Sequence, residues 1–350
     1  MYLVTLARKS TQAFSLICLL IIVCLAARTQ TSGNLRIFFI DVEGGQSTLF
    51  VTPDHKSLLI DTGWPGNAGR DADRIAAAAE RAGLSRIDFV LLTHYHVDHA
   101  GGVPQLIDRI PVGTFIDHGP NRESDDKATE ASYQGYQKVL ATSQYGHILA
   151  KPGTMLPIVG LPVRILTADG NLIAKPLPGA GQPNPFCKDS EIRAADQTEN
   201  ARSVGVLITW GKLRLLDLGD LTWDKEMDMM CPENRIGHVD ILIVSHHGWY
   251  QSSSPGLVDA ITPRVAIMDN GARKGGSKPT VQTLRAIPGL EALWQLHYSE
   301  EAGPGNPDPQ FIANVQGPDT GYDLELSASR DGRFSVYNPR TGATTDYPAR

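Results

Sequence analysis

The sequence has few of the residues on which several classes of protein depend. It contains four cysteines among 350 residues, and none of them has the C-x-x-C spacing of a thiolate metal site or a redox motif. The formal net charge of −6 gives no broad attraction to nucleic acid or to an anionic membrane, although a local basic patch is compatible with it. There is no G-x-S-x-G motif, no repeat of solenoid period and no coiled-coil heptad. These absences disfavour a thiol enzyme, a serine hydrolase, a broad nucleic-acid surface and a solenoid.

Long hydrophobic runs are equally scarce. One uncharged run, from Ala13 to Ala27, follows Arg8 and Lys9 and is shorter than the ~20 residues that span a bilayer. Small residues lie at its end, as at a cleavage site. The pattern predicts a signal peptide over residues 1–30 and therefore an exported protein, periplasmic or secreted. An uncleaved anchor is the alternative. After cleavage we expect no stable membrane span.

Export also bears on the cysteines. Two of the four lie in the predicted signal peptide, which leaves Cys187 and Cys231 in a compartment that permits disulfides. Their separation in sequence does not fix the distance between their Cα atoms, so the sequence leaves open whether they pair.

The chain after the N-terminal segment alternates strand-like and helix-like stretches. Short β-branched and aromatic runs at 35–42, 47–52 and 57–63 are separated by turn residues, as in a meander. A helix is predicted over 70–83, and the continuous apolar run at 86–94 is typical of a fully buried strand. This order predicts an α/β fold.

The later part of the chain continues this pattern after one interruption. Residues 170–200 hold four prolines and no sustained periodicity, which indicates a surface insertion or lid. Strand-like runs follow at 203–210, 213–220 and 240–248, and two of them end in carboxylate or imidazole side chains. Alternating segments near the C-terminus predict a β-hairpin, within an extension over residues 301–350 that packs on the same domain.

Three histidines and an aspartate follow the buried strand in the segment THYHVDHAGG. A turn there lets His94 and His96 converge on one point while Asp98 and His99 face a second. Imidazole nitrogen and carboxylate oxygen are the ligands that borderline cations accept. The segment therefore predicts a site for one or two ions, with Zn²⁺ as the default and Mn²⁺ or Fe as alternatives.

The same segment resembles the signature of the metallo-β-lactamase superfamily. Three further motifs of that family, LLIDTG, LLDLGD and IVSHHG, occur in the same order. The resemblance implies an αββα four-layer sandwich over residues 33–300, with a metal site at one edge of the sheets and the C-terminal hairpin as an extension. It also implies that Asp61 supports the site from behind the ligands, that Asp220 bridges the ions and that His246 is the last ligand.

Within the superfamily, the chain looks like the hydrolase domain of ComEC-type competence proteins and like the phosphorylcholine esterases. Two positions depart from that pattern. The usual D-V-G-Q-G-D turn is replaced by residues 41–46, DVEGGQ, and Asn200 stands where many members have a third histidine. An amide oxygen is a weaker ligand than imidazole, so the resemblance implies a weaker first site, built on His94, His96 and Asp220. It implies a complete second site, built on Asp98, His99, Asp220 and His246.

The resemblance also implies the chemistry, in which a metal-activated hydroxide attacks the substrate while Asp98 and Asp220 orient it. Strand alternation sends one of the adjacent histidines 246 and 247 to the site, unless the strand has already ended. We expect His246 to bind the metal and His247 to act as a supporting donor or as an acid that contacts substrate. His118, at the end of an apolar run, is a candidate pocket residue, with a structural role as the alternative.

These features predict an exported metal-dependent hydrolase. A phosphodiester is the preferred substrate because the relatives it resembles act on phosphate esters, which is an argument by analogy. Hydrolysis of a lactone, amide or β-lactam is one alternative, and a noncatalytic binding module with a partly degraded metal site is another. The substrate is a small-molecule or polymer ester, and the oligomeric state is left open.

One basic loop, GARKGGSK at 271–278, resembles a phosphate-binding loop only loosely because its spacing is one residue too long. We expect its cations, Arg273, Lys274 and Lys278, to be solvated, with contact to a substrate phosphate as the alternative.

Overall fold

Two β-sheets dominate the part of the chain that this computed structural model describes, residues 33–350. The predicted signal peptide over residues 1–30 lies outside the described residues. In the described part, no helix has the length and apolar character needed to cross a membrane.

The strands, in chain order, are β1 (Leu35–Phe39), β2 (Thr48–Val51), β3 (Ser57–Ile60), β4 (Ile87–Leu91), β5 (Val112–Asp117), β6 (Gly146–Leu149), β7 (Val163–Ala168), β8 (Asn171–Leu172), β9 (Gln182–Pro183), β10 (Gly205–Trp210), β11 (Leu213–Asp217), β12 (Glu233–Asn234), β13 (Ile241–Ile243), β14 (Val265–Met268), β15 (Ala292–His297), β16 (Ile312–Asn314), β17 (Leu324–Ala328), β18 (Phe334–Asn338) and β19 (Ala343–Tyr347). The α-helices are α1 (Arg70–Arg81), α2 (Val97–Ala100), α3 (Val103–Leu106), α4 (Lys127–Leu140), α5 (Trp223–Met230), α6 (Pro255–Ile261) and α7 (Lys278–Ala286).

The strand order defines two large sheets and one small ribbon. The first sheet runs β19-β18-β17-β1-β2-β3-β4-β5-β6, and the second runs β16-β15-β14-β13-β11-β10-β7-β8. β12 and β9 form the ribbon. Within the first sheet β3, β4 and β5 are parallel neighbours, and within the second β11, β13 and β14 are parallel neighbours.

Three apolar layers show how the sheets and helices stack. Ile37 and Phe39 of β1 pack between the two sheets, whereas Phe38 faces the helices outside the first sheet. The same alternation in β11 sends Leu215 to the central layer and Leu216 to the helices outside the second sheet. Both faces of each sheet are therefore covered, and the predicted αββα four-layer sandwich is confirmed.

The C-terminal residues are part of this sandwich. β17 pairs antiparallel with β1, and β18 pairs with β17, which is the hairpin expected from the alternating segments. A third strand, β19, then pairs with β18. β19 was not predicted from the sequence, because its residues alternate only weakly between polar and apolar character.

The segment from 170 to 200 contains two short strands, a 3₁₀ turn over Pro185–Asp189 and many exposed residues, as expected for a surface insertion. A disulfide joins Cys187 in this segment to Cys231 at the end of α5. The pairing that the sequence left open is therefore present, and it closes a loop of 44 residues between the insertion and the second sheet's outer helices.

Candidate metal centre

Four strands end at the same edge of the sandwich, and the segments that follow them carry the predicted site residues. Asp61 follows β3, the THYHVDH segment follows β4, Asp220 follows β11, and the paired histidines follow β13. β3 and β4 are parallel, as are β11 and β13, so their carboxyl ends lie side by side. Crevices outside the carboxyl ends of parallel strands are the usual ligand sites of such sheets.

Side chains from these segments meet in two overlapping groups. Donor atoms of His94, His99 and Asp220 lie within 4.8 Å of one another, and so do those of Asp98, His99 and His247. All five side chains are buried. Residues more than a hundred positions apart are therefore brought to one point, as the sequence motifs implied.

One carboxylate oxygen lies at the centre of the two groups. Asp220 Oδ2 is 3.2 Å from His99 Nε2, 3.4 Å from His247 Nε2, 3.5 Å from His246 Nε2 and 3.9 Å from His94 Nε2. Two donors that bind one ion at 2.0–2.2 Å in a tetrahedral arrangement are about 3.3–3.6 Å apart. The observed spacing is close to that value, so only small movements are needed for shared coordination.

The imidazoles of this centre share one orientation. His99 Nδ1 contacts Asp61 Oδ2 at 2.7 Å, and His247 Nδ1 contacts the Asp269 carbonyl at 3.1 Å. His94 Nδ1 lies 3.0 Å from Thr93 Oγ1, and His246 Nδ1 lies 3.4 Å from the hydroxyl of Ser252. In each case the outer nitrogen faces an oxygen and Nε2 faces the centre. Metal-binding histidines are held in this way, because the outer contact fixes the tautomer.

Unsatisfied polar atoms test whether these residues fit a metal. Among the described residues, His94 Nε2, Asp220 Oδ1 and Asn200 Oδ1 are buried without a hydrogen-bond partner. Such atoms are costly to bury unless something else satisfies them. A divalent cation accepts all three atom types, so the donor set fits the metal centre that the sequence predicts.

The charges at the centre favour the same conclusion. Burial disfavours a charged His99, yet the carboxylates of Asp220 and Asp98 raise its pKa well above the usual value. In turn, although burial acts to raise it, the neighbouring histidines hold the pKa of Asp220 well below its usual value. The proton on His99 supplies positive charge to two buried carboxylates. A metal ion held by these residues would supply that charge in place of the proton.

The paired histidines do not behave as an alternating strand would. β13 ends at Ile243, and both His246 and His247 have positive φ, 56° and 52°. Their side chains therefore both face the centre. His247 Nε2 is 3.1 Å from Asp98 Oδ2, inside the second group, whereas His246 is partly exposed at the rim beside Asn200. The geometry thus favours His247 as the ligand and His246 as the rim residue, the reverse of the sequence-based choice.

Three other residues, Asn200, His96 and His118, were also predicted to belong to the site. Asn200 is buried with its amide nitrogen 3.4 Å from Nε2 of His246, at the rim of the centre. His96 lies outside both groups, with Nε2 3.0 Å from Glu123 Oε2. His118 is buried away from the groups and contacts Glu199 Oε2 at 2.9 Å, which is a structural contact.

The basic loop contributes one residue that sequence reasoning assigned to solvent. Lys274 Nζ contacts Asp98 Oδ2 at 2.5 Å and the Gly44 carbonyl at 2.9 Å, and it lies 5.5 Å from the ring centre of Trp64. The expectation of a solvated lysine is therefore wrong at this position. Arg273 does extend outward and pairs with Glu300. Only the fold reveals this difference, because the loop approaches Asp98 from the other half of the chain.

The altered turn at residues 41–46 also packs against the centre. A Cβ on Gly45 would lie 2.5 Å from the carbonyl oxygen of Asp98, so only glycine allows this close approach. The backbone N–H of Gln46 donates to the same carbonyl at 3.2 Å, and its side chain donates to Asp217 at 2.8 Å. The turn therefore braces the segment that carries Asp98.

Part of the chain matches a known family of proteins. Residues 41–168 match the family model described as the metallo-beta-lactamase superfamily. The chain is 36% identical over 105 residues to hydroxyacylglutathione hydrolase of Stenotrophomonas maltophilia, covering 30% of this chain and 37% of that protein. It is 23% identical over 239 residues to competence protein ComA of Neisseria gonorrhoeae, covering 68% of this chain and 28% of that protein. Among solved structures, the metallo-beta-lactamase fold protein YhfI of Bacillus subtilis has 13% identity and a TM-score of 0.46, covering 83% of this chain and 99% of that one.

The family match assigns the protein to the class of the metallo-hydrolases, and its sandwich fold and histidine–carboxylate groups agree with that class. The protein carries a metallo-β-lactamase superfamily domain, and competence proteins are among its homologues. The predicted family is therefore confirmed. The matched segments span less than two-fifths of the two curated relatives' own length.

Proposed function

We propose that this protein is an exported metal-dependent hydrolase that cleaves a phosphodiester. The observation that carries the substrate class is Lys274, whose ammonium group lies at the mouth of the centre in contact with Asp98. Export is supported by the charged and apolar N-terminal segment and by the Cys187–Cys231 disulfide, a bond typical of oxidising compartments.

The metal centre supplies a water nucleophile activated at neutral pH and Lewis-acid polarisation of the attacked group. His94, His99, His247, Asp98 and Asp220 are the residues that would hold it. The two aspartates also orient the water, because each keeps an acceptor oxygen at the centre. His246, at the rim, is placed to contact the substrate.

Lys274 favours a phosphodiester over a neutral substrate. A phosphodiester carries a negative charge on its non-bridging oxygens throughout the reaction, and a nearby ammonium group favours its binding. A lactone or β-lactam carbonyl brings no such charge in its ground state. With a divalent ion held by Asp98, the Lys274 ammonium would be available to contact an anionic oxygen of the substrate. The indole of Trp64, close to the lysine, limits the directions in which that side chain extends.

A substitution at Lys274 tests this substrate class. We expect K274Q to raise KM for bis-p-nitrophenyl phosphate by about 10- to 100-fold, the loss of one charge-assisted hydrogen bond of about 1.5–3 kcal/mol. KM for a neutral lactone should change little. R273Q, in the same loop and exposed, is the matched control and should resemble the wild type. Steady-state kinetics with parallel metal quantification give both readouts.

Three outcomes of this experiment contradict the proposal. If K274Q raises KM equally for the phosphodiester and for the neutral lactone, Lys274 gives no support to an anionic substrate. Turnover of lactones or β-lactams without turnover of the phosphodiester supports the acyl alternative. A wild-type protein that holds less than half an equivalent of metal and cleaves neither substrate supports the noncatalytic binding module.

A further inference from the structure

A cavity of about 360 Å³ lies between the insertion at 170–200, the loop that follows the paired histidines, and the helices α5 and α7. This volume is within the range of small-molecule sites. The residues that line the cavity include Glu191 and Arg193 of the insertion, Trp223 of α5, Tyr250 and Ser253 of the loop, and Thr280 of α7.

One side chain separates this cavity from the metal centre. Ser252, which also lines the cavity, has its hydroxyl 3.4 Å from His246 Nδ1. The other nitrogen of the same imidazole, Nε2, is 3.5 Å from Asp220 Oδ2. A phosphate ester bound at the centre would therefore have one of its organic groups next to the cavity.

Two aromatic side chains form part of the cavity wall. Tyr250 is 48% exposed, so much of its phenol ring is accessible to a ligand. The indole of Trp223 has the Arg193 guanidinium over one face, 3.6 Å from the ring centre. Flat rings stack on aromatic side chains and on guanidinium planes. These surfaces favour a planar aromatic group as the occupant.

The polar part of the lining disfavours two other occupants. Ser253 is only 2% exposed, and its hydroxyl is among the buried polar atoms that have no hydrogen-bond partner in the described part of the chain. An alkyl chain would leave this hydroxyl unsatisfied, whereas a polar atom at the edge of a ring would satisfy it. A cationic ligand is disfavoured because the Arg193 guanidinium already occupies a face of Trp223.

The wall of the cavity is fixed by contacts between the insertion and its neighbours. Arg193 donates to the Tyr250 carbonyl at 2.6 Å, and Trp223 Nε1 donates to the Glu191 carbonyl at 2.9 Å. The disulfide between Cys187 and Cys231 ties the insertion to the end of α5. A pocket held in this way needs little ordering when a ligand binds, which favours affinity.

We propose that this cavity is a specificity subsite for a planar aromatic group on the phosphodiester, with Tyr250 and Trp223 as the residues that select it. The inference rests on the proposed function, because the cavity itself supplies only the part of the site that binds the organic group. An aryl group and a nucleobase share the required chemistry, since each presents a flat ring to the tyrosine.

Calorimetric titration of the zinc-loaded protein with phosphate monoesters tests this subsite. Methyl, cyclohexyl and phenyl phosphate and adenosine 5′-monophosphate carry the same phosphate group on different organic groups. We expect the two ligands with aromatic rings to bind the wild type about 5- to 100-fold more tightly than methyl phosphate. Cyclohexyl phosphate has the bulk of the phenyl compound without its flat face, so it should bind more weakly than phenyl phosphate. The relative affinities of phenyl phosphate and the nucleotide distinguish an aryl group from a nucleobase.

Substitutions at Tyr250 test the location of the subsite. We expect Y250A to reduce the preference for phenyl over methyl phosphate by about 5-fold or more, and Y250F, which keeps the ring, to retain it. Y250A leaves in place the backbone carbonyl that Arg193 contacts, and the side chain it removes is half-exposed. Y337A is the matched control, because Tyr337 is an exposed tyrosine of β18 outside the cavity lining.

The outcomes distinguish the subsite from the function on which it rests. If the zinc-loaded wild type neither cleaves bis-p-nitrophenyl phosphate nor binds methyl phosphate, the proposed function fails. If it cleaves the diester but binds methyl and phenyl phosphate equally well, only the subsite is overturned. Equal affinities for cyclohexyl and phenyl phosphate would also overturn it, because they show apolar burial without stacking. A full preference for phenyl phosphate in Y250A would place the ring elsewhere and overturn the assignment of this cavity.

Discussion

Replacing Asp220 by alanine is expected to abolish turnover of bis-p-nitrophenyl phosphate while leaving the fold intact. Its Oδ2 lies within 3.9 Å of four imidazole nitrogens, and it links the two donor groups because it belongs to the first and contacts His247 of the second. Losing a shared metal ligand removes several kcal/mol of charge stabilisation. At 1.36 kcal/mol for each factor of ten, this is a loss of about 10³-fold or more in kcat/KM.

The control for this substitution is Asp228→Ala, which removes an exposed carboxylate of α5. It should retain both metal and activity. Far-ultraviolet circular dichroism checks the fold of each variant, and metal analysis of D220A should show a reduced content. Turnover at the wild-type rate in D220A, with unchanged metal content, would refute the assigned centre.

The substitution E226Q is expected to change how the free energy of unfolding depends on pH. Glu226 is fully buried in α5, and its carboxylate accepts from the backbone N–H groups of Ser253 at 2.8 Å and Ser254 at 2.7 Å. These contacts hold the loop that follows His246 and His247. Burial raises the pKa of Glu226 to about 7, although the backbone hydrogen bonds act in the opposite direction.

The sign of the effect follows from proton binding. Because the pKa is higher in the folded than in the unfolded state, the folded protein binds more protons between pH 4.5 and about 7. The contribution of Glu226 to the free energy of unfolding therefore has its full value below pH 4.5. This contribution falls as the pH rises to about 7. At 1.36 kcal/mol per pH unit, the fall is about 3 kcal/mol. E226Q lacks this change, so its stability deficit relative to wild type should shrink across this range.

Urea unfolding of metal-free protein between pH 5 and 8 measures this difference. Other buried acids also titrate here, since burial raises the pKa of Asp217 to about 6 and of Asp269 to about 8. The wild-type value minus the E226Q value cancels their contributions. Glu233→Gln, at an exposed position, is the control. Parallel stability curves for wild type and E226Q would contradict the role assigned to the buried carboxylate.

The parts of the protein that the sequence predicted well are those set by local patterns. Alternating or continuous apolar runs predicted the strands, and polar residues directly after β3, β4 and β11 predicted the edge where the site lies. Parallel neighbours place their carboxyl ends together, so Asp61, the THYHVDH segment and Asp220 converge once the sheet order is known. The family resemblance supplied the four-layer arrangement and the location of the site at one edge of the sheets.

The parts that escaped prediction depend on backbone conformation or distant contacts. His246 and His247 both face the centre because the strand ends early and both have positive φ, which no periodicity encodes. Lys274 approaches Asp98 across 176 positions of sequence. Each of these contacts is set by how loops from different strands meet.

Anomalous X-ray diffraction from crystals of the protein loaded with metal tests the metal centre directly. We expect anomalous peaks within coordination distance, ~2.0–2.6 Å, of His94, His99 and Asp220 and of Asp98, His99 and His247. Density without any anomalous peak near these side chains, or peaks located only elsewhere on the molecule, would contradict the claim that they form a metal centre.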